Sequence, residues 1–376
     1  MYVAGAEGGC LLGNLLFRFP MKSSAVLSFL GLMTALVAPL AAQTVEVPAT
    51  DSLVRYVGRF DLADAAGPRC TWSASAVTVT FAGDSLGVKL NDSGQNFWQI
   101  VVDGVPTGVL ALQKGGHVYP VATGLAAGPH TVELVKRTEF FAGVTQIEGF
   151  QLAAGAKLLP SPARAHRVEV IGDSISCGYG NEAASKEESF STATENAWLA
   201  YGAVAAREVG ADYVCVAWSG KKLWPNNSIL EYYERTLPDA ASKWDFSTWT
   251  PDVVVINLGT NDFGKANPDE AGWVAAYVAF INQIRSRYPK APVYCAAGTM
   301  MSDWPPGGRM ARTTILGYIA KVVEQANADG GPKVRLVDFG VQNPVNGIGA
   351  NWHPSAKTHA LMGAQLAKAL KTDLGW

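Results

Sequence analysis

The chain predicts an α/β domain on a doubly wound parallel sheet, preceded by an all-β sandwich of jelly-roll type. Two patterns carry that prediction. From Gln43 to about Phe150, short β-branched runs with partial alternation follow one another between turn signals. From residue 166 onward, apolar strand-like runs alternate with helical stretches. At 376 residues, 48% hydrophobic and 16% charged, the chain is long enough for two cores. A net charge of -2 without a dense Lys/Arg run leaves no electrostatic footprint for nucleic acid or an anionic membrane surface.

Residues 1–42 read as an upstream extension followed by a signal peptide. Met21-Lys22 opens a basic region, Ala25 to Leu40 is apolar, and Ala41-Ala42-Gln43 offers small residues for cleavage. Met21 is a candidate initiator. The apolar run is short for a membrane span, so the expectation is export, secreted or periplasmic, without a stable membrane anchor.

Residues 43–152 supply the sandwich. Val77-Thr78-Val79-Thr80-Phe81, Gly87-Val88-Lys89-Leu90, Phe97 to Val102 and His130 to Val135 read as strands, punctuated by turn pairs such as Gly83-Asp84 and Asp103-Gly104. Residues 153–165, with Gly155, Pro160 and Pro162, read as a short linker of limited flexibility, which predicts an attached sandwich rather than a free tether.

Residues 166–376 supply the second domain. Its strand-like runs are 168–171, 213–217, 253–258, 292–296 and 334–338. One helix is expected over Asn196 to Val209. A second is expected to start with Asn267 as cap, Pro268 at the first helical position and Glu270 at the capping-box position, and to run to about Tyr288. A third covers Ala356 to Leu370. Sites in such sheets form at the carboxyl ends of the strands.

Three segments at those positions carry chemistry. Ile171-Gly172-Asp173-Ser174 ends the first apolar run and presents a hydroxyl. Gly259-Thr260-Asn261-Asp262 ends the third and presents an amide. Asn351-Trp352-His353-Pro354 precedes the last helix and presents an imidazole. A serine becomes nucleophilic when a base takes its proton, and an amide N–H stabilises the oxyanion of a tetrahedral intermediate. Ser174 is therefore the candidate nucleophile, His353 the general base and Asn261 an oxyanion donor. His359 is the competing imidazole. Asp173 and Asp262 invite a paired-carboxylate reading, but loop organisation explains them more economically. Cys70, Cys177, Cys215 and Cys295 show no metal-ligand spacing, Cys215 and Cys295 lie in apolar runs, and no metal or organic cofactor is implied.

These segments resemble the SGNH (GDSL) hydrolase superfamily over roughly residues 166–376. Upstream, Gly58-Arg59-Phe60-Asp61, Trp72-Ser73-Ala74-Ser75 and Val101-Val102-Asp103-Gly104 look like the β-sandwich of carbohydrate esterase family 2. The resemblance assigns Trp218-Ser219-Gly220 as the glycine block, so the oxyanion hole becomes Ser174, Gly220 and Asn261. In the superfamily an Asp commonly sits three residues before the His; here that residue is Ala350, which suggests a Ser–His dyad with a backbone carbonyl as the orienting group. The implied activity is removal of O-acetyl groups from carbohydrate such as xylan or glucomannan. Among 11 Trp residues, Trp224, Trp304 and Trp352, with Tyr179, are candidate sugar-binding aromatics. Two other functions compete: a lipolytic or thioester-cleaving esterase, and a carbohydrate-binding protein with a decayed site.

Overall fold

Two antiparallel sheets close on one core, with period-two burial clearest on the strand Leu86–Asp92. In the order of the chain these strands are β1 (Thr44–Pro48), β2 (Arg55–Val57), β3 (Arg69–Cys70), β4 (Ala76–Ala82), β5 (Leu86–Asp92), β6 (Phe97–Val102), β7 (Val105–Ala111), β8 (Gly115–Ala122), β9 (Pro129–Lys136), β10 (Thr145–Ala153) and β11 (Lys157–Leu159). One sheet runs β1-β10-β5-β8 with β3 added to β10; the other runs β11-β4-β9-β6-β7 with β2 added to β4. Alternate residues of β5, Leu86, Val88 and Leu90, point inward to meet Phe81, Trp98 and Phe150. The computed structural model describes residues 44–304, 307–328 and 330–376, so the expected extension and signal peptide lie outside it.

The linker differs from its expectation. Within 153–165, β11 pairs antiparallel with β4, Lys157 opposite Ala82 and Leu159 opposite Thr80. Leu158 packs against the sandwich core, so the segment read as a linker contains a three-residue sandwich strand.

The parallel sheet contains β12 (His166–Gly172), β13 (Ala211–Ala217), β14 (Val253–Asn257), β15 (Val293–Ala297) and β16 (Val334–Asp338), in the order β13-β12-β14-β15-β16. Each expected run lies within one to two residues of an observed strand. Both faces are covered. Val168 and Val170 meet Tyr201, Ala205 and Leu366 on one face, while Ile171, Val254 and Ile256 meet Trp273, Tyr277 and Ile319 on the other. The strand order reverses at β12, the position in such sheets beside which sites form at the carboxyl ends.

Helix starts are corrected in two places. The stretch expected as one helix over Asn196 to Val209 divides at Ala200, whose extended backbone (φ -65°, ψ 149°) separates a 3₁₀ turn at Ala197–Leu199 from the helix Tyr201–Glu208. The helix expected to be capped by Asn267 is capped by Asp269, whose carboxylate accepts from Gly272 N–H at 2.8 Å; the helix is Glu270–Arg287. Asn267 donates instead to Arg309 O at 2.7 Å. With Ala311–Ala328 it covers one sheet face; Ser355 caps the last helix, Ala356–Leu374, four residues longer than expected. No helix of the described residues is long and apolar enough to cross a membrane.

Sandwich and parallel sheet share side chains across their junction. Trp72, Ala74, Val135 and Phe140 belong to the same buried cluster as Val214, Leu223 and Tyr233. Arg59, fully buried, reaches from the sandwich to Tyr233 O and lies 3.5 Å from Glu169 on β12. Burial outweighs the Arg59 charge and pushes the Glu169 carboxyl up. Residues 44–376 therefore behave as one compact body.

Candidate active site

Ser174 is the first residue of the short helix Ser174–Cys177, directly after β12. Asp173 caps that turn by accepting from Ile175 N–H at 3.0 Å, which fixes where the serine begins. Its carboxyl is fully buried, and that burial pushes it up to about 7.

His353 Nε2 lies 2.8 Å from Ser174 Oγ, and His353 Nδ1 lies 3.1 Å from Ala350 O. A carbonyl only accepts, so Nδ1 carries the hydrogen and Nε2 is left to accept from the serine hydroxyl. Among the described residues no carboxylate bonds to this ring. Burial holds His353 down to about 4, so the imidazole is neutral at ordinary pH.

The carbonyl is held by close packing. Ala350 is fully buried; its N–H donates to Gly180 O at 3.0 Å, and a Cβ on Gly180 (φ +51°) would lie 2.4 Å from Ala350 Cβ. Ala356 N–H donates to Asn181 O at 2.8 Å, binding the histidine loop to the serine segment on its other side. Asn351 and Trp352 both have left-handed backbones, φ +51° and +67°. That sharp turn brings residues 350 and 353 within bonding reach of each other.

The amides converge on the same place in the fold. Asn261 Nδ2 donates to Lys221 O at 2.9 Å and makes a longer contact, 3.3 Å, with Asp173 Oδ2. Gly220 sits at φ +77°, a conformation that favours glycine, at the end of the loop after β13. No hydrogen bond among the described residues occupies the Gly220 or Ser174 N–H. Asp262 organises the neighbouring loop, accepting from Leu223 N–H at 3.1 Å, Trp224 N–H at 2.9 Å and Trp273 Nε1 at 3.0 Å.

The four aromatics separate. Tyr179 stacks on Phe190 (centroids 4.1 Å apart) and packs at a tilt against His353 (4.2 Å), and its hydroxyl accepts from Asn351 Nδ2 at 3.0 Å. Trp352, adjacent to His353, is 55% exposed with Lys186 Nζ 3.8 Å from its ring centre. Trp224 is half-buried, its ring laid against Gly272 of the helix Glu270–Arg287. Trp304 is 74% exposed, and no bond joins it to Ser174 or His353 among the described residues. His359 is fully buried and accepts from Tyr201 N–H at 3.2 Å, a packing role away from Ser174.

Residues 56–162 match the carbohydrate esterase 2 N-terminal family, and residues 170–361 match the GDSL-like lipase/acylhydrolase family. The chain belongs to carbohydrate esterase family 2. The cellulase/esterase CelE of Acetivibrio thermocellus is 40% identical over 330 residues, which are 86% of this chain and 40% of that protein. The chain thus spans less than half the length of that relative. An acetylxylan esterase / glucomannan deacetylase of Cellvibrio japonicus is 32% identical over 327 residues, 81% of this chain and 86% of that one. A family two carbohydrate esterase from Clostridium thermocellum, solved with cellohexaose, superposes with a TM-score of 0.81 at 39% identity, covering 86% of this chain and 99% of that chain.

Two parts of this family 2 site are not singled out by sequence reasoning. Phe190 and Lys186 come from an irregular loop with no motif and meet Tyr179 and Trp352 only in three dimensions. Glu139 ends a charged stretch, Lys136-Arg137-Thr138-Glu139, that carries no motif. All four of its residues are buried.

Proposed function

We propose that this family 2 chain is an exported esterase that removes O-acetyl groups from plant-type polysaccharides or their oligosaccharides through a Ser174–His353 acyl-enzyme. The single observation that carries it is the bond chain from Ser174 Oγ through His353 to Ala350 O. It leaves a neutral base against a serine hydroxyl, with free N–H groups at Ser174 and Gly220.

In the first half-reaction His353 Nε2 takes the Ser174 proton as Oγ attacks the acetyl carbonyl. Charge gathers on the former carbonyl oxygen, facing the Ser174 and Gly220 N–H groups and Asn261 Nδ2. The Nδ2–H that makes only the long contact with Asp173 is the one available to the oxyanion. Collapse breaks the ester bond, and the sugar oxygen leaves with the proton from His353. Water then repeats the sequence on the acetyl-serine, releasing acetate and restoring the serine. The Nδ1–H to Ala350 O fixes the tautomer throughout, in place of the carboxylate of a triad.

Several observations favour sugar over lipid. Beside His353 the exposed Trp352 indole and the Lys186 cation offer a sugar a ring face and a charge, while the Tyr179 ring is already occupied by His353 and Phe190. The relatives named for acetylxylan and glucomannan, and the cellohexaose of the solved neighbour, point the same way. Export rests on Met21 to Gln43 alone. The test is a hydrolysis panel of 4-nitrophenyl acetate, its octanoyl homologue and acetylated xylan. Acetyl esters and xylan acetate are cleaved under this reading; faster cleavage of the octanoyl ester moves the function to the lipolytic class.

A further inference from the structure

The loop that supplies Gly220 is held from the sandwich, by a residue not used in the chemistry above. Glu139 follows β9 and has no exposed surface. Its carboxylate accepts twice from Ser219: the backbone N–H reaches Oε2 at 2.6 Å, and the hydroxyl reaches Oε1. Phe140, next in sequence, packs its ring on Trp218 with centroids 4.3 Å apart. The Trp218-Ser219 pair is therefore gripped by consecutive residues of the other domain. The next two residues bear on the oxyanion pocket: Gly220 offers its N–H, and Lys221 O holds Asn261 Nδ2.

We infer that Glu139 is a positioning residue for the oxyanion pocket, setting the Gly220 and Asn261 donors through its paired bonds to Ser219. This rests on the acyl-transfer reading of the site. The arrangement gives the sandwich a role in turnover, beyond stability or carbohydrate contact.

The surroundings of Glu139 show how a carboxylate is kept there. Glu195 Oε2 accepts from Glu139 N–H at 3.0 Å, and the oxygens of the two carboxyl groups approach within 4.8 Å. Burial pushes both carboxyls up, and the charge of Glu139 adds to the effect on Glu195. Glu195 Oε1 meets no donor among the described residues. A proton on Glu195 removes the second charge and leaves Glu139 as the ionised partner, whose two oxygens are both already receiving hydrogens from Ser219. Lys136, fully buried, donates to Thr138 O at 2.8 Å and to Glu139 O at 3.3 Å, fixing the backbone at this corner. Asymmetry of partners thus assigns the two carboxyls different duties.

The test is a double-mutant cycle on Glu139→Gln and Ser219→Ala in the full chain, with kcat, KM and melting temperature measured on 4-nitrophenyl acetate. Glu139→Gln turns one acceptor into a donor, so the Ser219 hydroxyl must turn round to accept, and both contacts lose the carboxylate charge that strengthens them. It is expected to lower kcat about ten- to a hundred-fold, a fraction of the loss from deleting an oxyanion donor outright, with KM within about twofold. Ser219→Ala keeps the N–H bond and is expected to cost a smaller factor, about threefold. The double variant falls short of the product of the two, because both remove the same contact. If Glu139→Gln does not fold, Ser219→Ala decides alone by the same fall in kcat at unchanged KM. Wild-type kcat in folded Glu139→Gln, or in Ser219→Ala when that variant decides alone, overturns the inference, as does full multiplicativity. An inactive wild type, or an active Ser174→Ala, strikes instead at the acyl-transfer reading.

Discussion

At the residue scale, the environment of the proposed base, His353, sets its protonation state. Its pKa is held near 4 because burial outweighs the bond to Ala350 O, which by itself favours the cation. The ordinary value is about 6.5. Between about 4 and 6.5 the unfolded chain binds a proton that the folded chain refuses, so this residue's contribution to stability is fully present above about 6.5 and is lost as the pH falls toward 4. The base stays neutral over the same window. The acid limb of kcat/KM, followed as acetate release, is therefore expected near pH 4, and a midpoint near 6.5 contradicts the assignment. Asp173, pushed up to about 7, also titrates, but it exchanges no proton with substrate and changes the rate by a small factor. The side chain of Asn351 bonds to Tyr179 and not to the imidazole. Asn351→Asp is expected to leave kcat within about tenfold, whereas a carboxylate in a relay is worth about 10⁴; a change of several orders of magnitude counts against the dyad.

At the element scale, the site depends on two turns packed without spare room. Gly180 and Ala350 touch at a place where an added methyl must displace the carbonyl that orients His353. Gly180→Ala is expected to destabilise the protein by about 1–3 kcal/mol and to lower kcat at least tenfold, read by thermal unfolding and acetate release. Unchanged stability and rate in that variant would show that the contact carries no strain. The same packing explains what was legible in the sequence. Ser174, Asn261 and His353 each follow or precede a strong apolar signal, so their places at element ends could be read directly. The cap of the helix at Glu270 could not: Asn267, Pro268 and Asp269 all suit a helix start, and tertiary bonds from Asn267 to Arg309 O give the cap to Asp269. The break at Ala200 was equally hidden, because an apolar stretch carries no mark of a turn between two helical pieces.

At the scale of the whole molecule, two domains in sequence are one body in space. The alternation of strands, then strands with helices, gave both architectures, and local spacing said nothing of how they join. That junction depends on Lys136, Arg137, Glu139 and Arg59, charged residues whose burial is a property of the assembled fold. The apparent linker hid β11 because three residues between prolines and a glycine look like a connection. Expression from residue 165 onward exposes Val214, Leu223 and Tyr233 and leaves Glu169 without Arg59. The truncated chain is expected to be insoluble or to melt well below the full chain, with little turnover. An unchanged melting temperature and rate would make the sandwich an independent module.

The proposed acyl-enzyme at Ser174 stands or falls on acetate release from acetylated xylan by wild type and Ser174→Ala at equal folded concentration. The hydroxyl supplies the attacking oxygen, and at 6% exposure its removal leaves only a small void. Wild type is expected to release acetate, and the variant to fall by about 10⁴-fold or more with its melting temperature nearly unchanged. A folded Ser174→Ala within tenfold of wild type would contradict the mechanism.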